Sequence, residues 1–317
     1  MKSKRLLGLV LGLCGITIFL SRMNNGTNSK RPELNNKRQD SSEAKQQHTL
    51  KNAAEATISK LKVLVLAYGR TGSSLTGDLI SADTTSAYFF EPFWNRSALT
   101  TTNSTEGILN GLFDCSPELI SEITALQWPH EWPYVSVRRP GRCKASNLRV
   151  VKTIRVSKED LEPWIGKRSE IKVLHLIRDP RAVLSSRAAV GWERETLKAA
   201  RLCRQMLGDL ALAQVLPQER YTLVRYEDLV DNTEDTVERL YGRLGLRWTE
   251  EMRRAVRSHT KASPSEDLKA GGTFRSASFS PESWKHKLSA RQVQAIEGEC
   301  REMMQRTDYK MINRTHL

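Results

Sequence analysis

The chain has 317 residues, of which 39% are hydrophobic and 27% charged, a composition typical of a globular protein with one large domain or two small ones. Its formal net charge is +14, and the first 60 residues contribute +7 of it, from 11 basic and 4 acidic side chains. Because the rest of the chain carries the other +7, we expect the folded part itself to attract acidic ligands. The sequence contains no zinc-finger spacing and no paired aromatic RNA-binding motif, so we do not predict nucleic-acid binding.

The N-terminal segment combines three basic residues with an uncharged apolar run of 15 residues from Leu6 to Leu20. A run of this length fits either a short signal anchor or the apolar region of a cleaved signal peptide. We favour the anchor, because bulky residues follow the run where a cleavage site would need small ones, and the preceding basic residues put the N-terminus in the cytosol. The next stretch is polar and lacks apolar periodicity, which is typical of disorder. The predicted organisation is a cytosolic tail over 1–5, a transmembrane helix over 6–23, a disordered stem over 24–60 and a lumenal domain over 61–317.

From Leu61 onward, apolar strands alternate with amphipathic helices. The predicted strands are Lys62 to Tyr68, Ala87 to Phe90, Leu148 to Ile154, Ile171 to Ile177 and Tyr221 to Arg225. The predicted helices are Ser73 to Ser81, Ser157 to Trp164, Ala182 to Ala188, Glu193 to Leu216, Asn232 to Leu244 and Ser289 to Gln305. This alternation favours an α/β fold, a parallel sheet flanked by helices, in which ligands lie at the carboxyl ends of the strands. The stretch from Trp94 to Arg142 reads as an irregular loop region on the substrate side.

The first predicted strand runs into a turn that is suited to bind a phosphate-like anion. Residues Val63 to Leu79 read VLVLAYGRTGSSLTGDL, so a glycine-bearing turn with Arg70 opens a helix, whose N-terminal N–H groups and dipole favour negative charge. Gly69 and Gly72 would allow a tight turn and close backbone approach. The turn is not the phosphate-binding loop of ATP- and GTP-binding proteins, because Gly69 and Gly72 are three positions apart and no lysine follows Gly72. The predicted hydroxyl donors of the turn are Thr71, Ser73 and Ser74.

A second segment repeats this pattern. Residues Ile171 to Arg187 read IKVLHLIRDPRAVLSSR, an apolar strand followed by Arg178 and then by a helix that carries Ser186. Since the carboxyl ends of parallel strands share one edge of a sheet, the two segments together suit a ligand with two separated anionic groups.

The two segments together resemble the Golgi carbohydrate sulfotransferases, in particular the branch that sulfates 6-hydroxyls of GlcNAc, Gal or GalNAc. The resemblance covers roughly Leu61 to the C-terminus and includes FFEPFW around Glu91, RYEDL from Arg225 and WKHKLS from Trp284. It implies a P-loop-like sulfotransferase fold, 3′-phosphoadenosine 5′-phosphosulfate (PAPS) as the donor, and no metal. It also implies a glycan acceptor, on a glycosaminoglycan or an N- or O-linked chain, and a single-pass type II protein of the Golgi membrane with a lumenal catalytic domain.

The resemblance assigns roles to several residues. The GRTGSS turn would hold the 5′-phosphosulfate, Arg178 and Ser186 the 3′-phosphate, and Glu91 would be the catalytic base. Tyr226 would lie near the adenine or be a packing residue. Arg275 follows a glycine pair, and so would be either a lid over the 3′-phosphate or part of a surface loop.

The chemistry of sulfuryl transfer supports the same residues. The leaving phosphate oxygen gains charge and the attacking hydroxyl loses a proton, so the site needs cations, donors and a base. The planar guanidinium of Arg70 can bridge two anionic oxygens, with a surface ion pair as the alternative. Glu91 lies among aromatic residues, where lost solvation makes a carboxylate a better base, although it could instead only position Arg70 or the acceptor. Lys152, a lone cation in an apolar strand, would contact the sulfuryl or bridging oxygen or else pair with a carboxylate.

Five cysteines are present, and Cys14 lies in the apolar N-terminal run. The other four suggest two disulfides with three connectivities, of which we favour Cys115 with Cys143 and Cys203 with Cys300 over free thiols. Metal binding is not predicted, because there is no Cys-x-x-Cys and the histidines are scattered. Candidate glycosylation sequons begin at Asn25, Asn95, Asn103 and Asn313.

Two other functional classes compete with a glycan sulfotransferase. A nucleoside-phosphate kinase of similar topology would need Mg²⁺ and a phosphate-loop lysine, which the turn lacks. A non-catalytic glycan-binding membrane protein would have no need of both Arg70 and Glu91. The sequence leaves the acceptor sugar and the oligomeric state open, a homodimer included.

Overall fold

The computed structural model describes residues 60–126, 137–138, 140–192, 198–261, 272–276 and 279–312. They form one six-stranded sheet in the order β3-β2-β4-β1-β5-β6. The strands are β1 (Leu61–Leu66), β2 (Ala87–Phe90), β3 (Val137–Arg138), β4 (Leu148–Thr153), β5 (Ile171–Ile177) and β6 (Tyr221–Arg225). All five predicted strands are therefore confirmed, with β1 ending at Leu66 instead of Tyr68 and β4 at Thr153 instead of Ile154.

Five of the six strands are parallel, which confirms the predicted sheet, and β3 adds an antiparallel edge beside β2. The chain fills one side of β1 with β2, β3 and β4 before it crosses to β5 and β6 on the other side. A crevice outside the carboxyl ends of the strands forms where the strand order reverses in this way. The first predicted anion-binding turn follows β1, the central strand of that reversal.

The helices pack on both faces of the sheet. They are α1 (Ser73–Ile80), α2 (Thr105–Phe113), α3 (Pro117–Ala125), α4 (Lys158–Ile165), α5 (Pro180–Ala189), α6 (Ala199–Leu210), α7 (Leu212–Val215), α8 (Tyr226–Asp231), α9 (Thr233–Leu244), α10 (Glu250–Ser258) and α11 (Ala290–Arg306). The helix predicted from Glu193 to Leu216 is divided at Ala211 into α6 and α7, and residues 193–197 lie outside the described part of the chain.

The prediction of an irregular stretch from Trp94 to Arg142 is wrong, because α2, α3 and β3 all lie within it. The side chains of Ser104 and Ser116 accept hydrogen bonds from backbone N–H groups in the first turns of α2 and α3, and so satisfy groups that a helix leaves unpaired. Pro117 begins α3, where its missing N–H costs nothing. The short helices α8 and α10 were not predicted either.

Successive residues of β1 contact opposite faces of the sheet, since side chains alternate along a strand. Leu64 and Leu66 belong to a core shared with α2, α3 and α4, whereas Val63 and Val65 belong to a core shared with α1, α8 and α9. All four side chains are fully buried. A strand that is apolar on both faces is typical of the interior of a parallel sheet. The burial of β1 on both faces fixes the position at which the following turn begins.

The favoured disulfide pairing is confirmed. Cys115 and Cys143 are bonded with their Cα atoms 5.7 Å apart, and Cys203 on α6 is bonded to Cys300 on α11 with a Cα separation of 5.3 Å. The predicted tail, transmembrane helix and stem fall outside the described residues, apart from residue 60. Within the part of the chain that the structure describes, no helix is both long enough and apolar enough to span a bilayer.

Candidate active site

A pocket lies beyond the carboxyl ends of β1, β2, β4 and β5, and most of the predicted site residues line it. Those that do are Gly69, Arg70, Gly72, Ser73, Ser74, Glu91, Lys152, Arg178 and Arg275. Arg155 also lines the pocket, so that five cations face it and Glu91 is its sole acidic group among the described residues. A pocket with this charge balance favours an anionic ligand.

The turn between β1 and α1 is shaped by backbone that glycine tolerates and other residues rarely adopt. Gly72 has φ of 90° and Arg70 has φ of 71°. A Cβ atom on Gly72 would lie 2.1 Å from the ring of Tyr226, and one on Gly69 would lie 2.4 Å from the ring of Trp192. Both glycines are therefore required for close packing, as the sequence predicts for a turn that a ligand approaches closely.

Thr71 is not among the pocket-lining residues. It is fully buried, and its hydroxyl donates a hydrogen bond to the carbonyl oxygen of Tyr68 at 2.7 Å. Its backbone N–H donates to the same carbonyl at 3.1 Å. Thr71 thus closes the turn, while Ser73 and Ser74, at the start of α1, face the pocket.

The two predicted anion-binding segments are in direct contact. Nε of Arg70 donates to Oγ of Ser186 at 3.1 Å, and Nη1 of Arg178 donates to the carbonyl oxygen of Arg70 at 3.2 Å. The guanidinium of Arg178 also lies 4.5 Å from the centre of the Tyr226 ring. Nε of Arg178 is buried and has no hydrogen-bond partner among the described residues. Since an unpaired buried donor is costly, this atom is suited to an anion bound in the pocket.

Tyr226 and Ser186 do not line the pocket but contact residues that do, Gly72 and Arg70 respectively. Tyr226 is fully buried, with its ring against Gly72. Its hydroxyl accepts a hydrogen bond from Nε of Arg275 at 3.0 Å. Tyr226 therefore joins the turn after β1, Arg178 and the segment that carries Arg275, where the sequence left a packing role open.

Glu91 follows β2 and is held by two cations from the end of β4. Its carboxylate accepts a hydrogen bond from Nζ of Lys152 at 2.7 Å through Oε1, and it is paired with Arg155 through Oε2. Glu91 is only 3% exposed and has φ of 48°, an unusual conformation for a residue with a side chain. Such residues cluster at active sites, where surrounding structure fixes them.

Lys152 pairs with a carboxylate, which is one of the two contacts that the sequence allowed. Burial lowers the pKa of the Lys152 ammonium, and the neighbouring Glu91 opposes that shift. The ammonium also lies 4.3 Å from the centre of the Phe90 ring. A cation held this way stays positioned at the pocket wall and can be shared with a second anion.

Four further side chains form this region without having been predicted. Arg155, two residues after the end of β4, pairs with Glu91. Trp94 and Trp192 line the pocket. Arg187, on α5, donates through Nε to the carbonyl oxygen of Gly69 at 3.1 Å, and burial lowers its pKa to about 10. Arg155 could have been predicted as a site residue, because it is a cation just after a strand. No local feature of the sequence distinguishes Trp192.

A buried polar network lies behind the turn after β1. The Tyr68 hydroxyl donates to Asp209 at 2.7 Å and is 2.8 Å from Nε2 of His175, whose Nδ1 is 2.7 Å from the Tyr221 hydroxyl. Burial lowers the pKa of His175 to about 3 and raises the pKa of Asp209 to about 6. Because Tyr68 also supplies the carbonyl that Thr71 binds, this network holds the turn in place. No cluster of His, Cys, Asp or Glu suited to a metal occurs among the described residues.

Comparison with known proteins places these features in a family context. Residues 170–250 match the profile of the sulfotransferase family. The chain is 24% identical to human carbohydrate sulfotransferase 1, with 80% of each protein covered, and 25% identical to mouse carbohydrate sulfotransferase 4, with 79% of this chain and 82% of that protein covered. Among solved structures, the sulfotransferase domain of the Synechococcus PCC 7002 olefin synthase is similar in fold, with a TM-score of 0.50 and 17% identity over 79% of this chain and 95% of that one.

Proposed function

We propose that this chain, of which residues 170–250 match the sulfotransferase family, transfers a sulfuryl group from PAPS to the 6-hydroxyl of GlcNAc, Gal or GalNAc in a glycosaminoglycan or a glycoprotein glycan. Relatives over 80% of the chain are named carbohydrate sulfotransferases, which favours a carbohydrate acceptor. The observation that carries the proposal is the meeting of two anion-binding segments with Glu91 and Lys152 in one pocket.

The two segments would hold the two ends of the nucleotide. The N-terminal turn of α1, with Arg70, Ser73 and Ser74, is suited to the 5′-phosphosulfate. Arg178 is suited to the 3′-phosphate, because its buried Nε would gain a partner there, and Ser186 would hold Arg70 beside it. Arg275 lines the same pocket, is bonded to Tyr226 and would also contact the nucleotide.

In the transfer step, the bond from sulfur to the bridging phosphate oxygen breaks as the sugar O6 forms a bond to sulfur. Lys152 and Arg70 would donate to the oxygens that gain charge, which is the kind of interaction that most lowers such barriers. The proton of O6 would move to Glu91, and the nucleotide bisphosphate would leave with the electron pair of the broken bond.

Glu91 must lose part of its ion pairing before it can accept a proton. Lys152 is bonded to one carboxylate oxygen and Arg155 to the other, so both oxygens already have a partner where the proton of O6 would have to go. An anionic sulfuryl group beside Lys152 would compete for the ammonium and free Oε1, while Arg155 keeps the carboxylate in place. Donor binding would therefore activate the base, and acceptor deprotonation would wait for the donor.

We also place the protein in the Golgi membrane as a single-pass type II protein. The support is the apolar run from Leu6 to Leu20 and the two disulfides, which form and persist in oxidising compartments. In this arrangement residues 61–317 are lumenal, where glycan chains are accessible. Asn103 is exposed and so is open to glycosylation, whereas Asn95, although exposed, directly follows the pocket-lining Trp94, which counts against a bulky glycan there.

The experiment that tests the function is incubation of the full-length protein with PAPS or ATP and a panel of glycans. We expect sulfate on a glycan with PAPS and no product with ATP. Phosphate transfer from ATP would identify a kinase instead. Glycan binding without transfer from either donor would identify a non-catalytic binding protein.

A further inference from the structure

We propose that Trp94 is the platform on which the acceptor sugar ring stacks, and that it determines the preference of the site for a hexopyranose. The inference rests on the proposed function, since it names how the same pocket recognises its acceptor. Trp94 lines the pocket beside Glu91, the proposed base.

A β-turn fixes Trp94 relative to the base. The backbone N–H of Trp94 donates to the carbonyl oxygen of Glu91 at 2.9 Å, which closes a four-residue turn. Pro92 restricts the backbone of this turn, and Phe93 anchors it in the core with only 3% of its surface exposed. The ring and the carboxylate are therefore held by one rigid unit, as a site needs when it must present a hydroxyl to a base.

Arg155 completes the arrangement. Its guanidinium lies 5.9 Å from the centre of the Trp94 ring and is paired with Glu91, while about a third of the side chain, 34%, is exposed. Ring, base and guanidinium thus form one cluster at the pocket wall. Hexopyranoses combine a face of C–H groups with a rim of hydroxyls, so an aromatic ring beside hydrogen-bond donors matches their chemistry.

The donor turn and Trp94 line the same pocket but follow different strands, β1 and β2, between which β4 lies in the sheet. The anion-binding turn packs against Trp192, since a Cβ on Gly69 would lie 2.4 Å from that ring. Trp94 instead follows β2 and is joined to Glu91 and Arg155. A change at Trp94 should therefore act on the acceptor and leave the nucleotide site intact.

The test uses Trp94→Leu, which keeps an apolar side chain without a ring, and Trp94→Phe, which keeps a ring. Trp248→Leu is the matched control, because Trp248 is also half-buried with an arginine guanidinium, that of Arg253, 5.9 Å from its ring centre, and it is not among the pocket-lining residues. Each full-length protein is assayed with PAPS and two acceptors, an N-acetylglucosaminide and the open-chain alditol made by reducing the free sugar. The alditol keeps the C6 hydroxyl and has no ring face; because reduction adds a second primary hydroxyl at C1, only label at C6 is counted.

We expect Trp94→Leu to raise the acceptor KM about tenfold, to leave the donor KM within about twofold, and to abolish the preference for ring over alditol, since aromatic contacts are worth roughly one such factor. Trp94→Phe should retain most of that preference, and Trp248→Leu all of it. An unchanged ring-to-alditol ratio in Trp94→Leu, or an equal rise in both KM values, would overturn the platform while leaving the sulfotransferase assignment in place. If Trp94→Leu does not fold, the ratio is measured in Trp94→Met, which also lacks a ring, and a ring-to-alditol ratio equal to that of wild type would overturn the platform. Failure of the wild-type protein to sulfate any glycan would overturn both proposals.

Discussion

Replacing Glu91 by glutamine tests the proposed base, because glutamine keeps the shape and a hydrogen-bond acceptor but cannot take a proton. Loss of a general base typically costs about 10² to 10⁴ in rate. At about 1.36 kcal/mol for each factor of ten, the barrier should rise by roughly 2.7 to 5.4 kcal/mol. We therefore expect Glu91→Gln to bind adenosine 3′,5′-bisphosphate like wild type and to turn over at most about a hundredth as fast.

The same substitution should also destabilise the protein, since it leaves a buried ammonium without a counter-charge. Lys152 has 3% of its side chain exposed, whereas Arg155 has 34% and can be solvated in part. Breaking a buried ion pair costs about 3 to 5 kcal/mol, and the remaining hydrogen bond should reduce the loss to about 2 to 3 kcal/mol. The activity comparison must therefore be made at a temperature where both proteins are folded.

Glu297→Gln separates the two effects. Glu297 is paired with Arg181 at 2.5 Å, its side chain is 10% exposed, and it does not line the pocket. We expect a smaller loss of unfolding free energy, because Arg181 stays paired with Asp179 at 2.7 Å, and turnover within about threefold of wild type, as for a change remote from the reacting groups. The assay is transfer of labelled sulfate at saturating donor, with nucleotide affinity measured by calorimetry. Turnover of Glu91→Gln within a few-fold of wild type would assign the base elsewhere.

Three further substitutions test the donor site and the structure behind it. Arg178→Ala should weaken binding of adenosine 3′,5′-bisphosphate by about 1.5 to 3 kcal/mol and leave that of adenosine 5′-phosphate almost unchanged; equal losses in calorimetry would argue against a 3′-phosphate pocket. Gly72→Ala, with φ of 90° and a Cβ 2.1 Å from a ring, should lower the free energy of unfolding in denaturant by about 1 to 3 kcal/mol, whereas Gly166→Ala, with nothing within 4 Å, should change it little. Burial holds the pKa of His175 at about 3, below its unfolded value of 6.5, so stability is lost as pH falls through that window. Between about pH 7 and pH 5, the free energy of unfolding of His175→Gln should therefore fall by about 2 kcal/mol less than that of wild type. Equal falls in the two proteins would contradict this explanation.

The sheet and the donor turns could be predicted from the sequence because their signals are local. The apolar runs of β1 and β5 are continuous, and the glycines of the first turn are recognisable by spacing. The helices α2 and α3 were missed although Ser104 and Ser116 provide capping signals, so that error came from reading an apolar pattern as a loop.

The acceptor side could not be predicted in the same way, because its contacts are distant in sequence. Glu91 and Arg155 are 64 positions apart, and no pattern indicates which cation a carboxylate will meet. Trp192 contacts the turn at Gly69 because the chain that leaves α5 passes beside that turn. A hydroxyl in such a turn can bind either a ligand or the backbone, and the geometry of the turn decides which. The Thr71 hydroxyl binds the backbone, which the sequence alone does not indicate.

The most direct test of the central claim is to identify which atom of the acceptor carries the transferred group. The full-length protein would be incubated with PAPS labelled in its sulfate and with chondroitin or keratan chains, and the product digested to disaccharides. The account predicts label on the primary 6-hydroxyl of GlcNAc, Gal or GalNAc, and its absence from the Glu91→Gln product. Label only on secondary hydroxyls or on tyrosine would contradict it, even with PAPS as the donor.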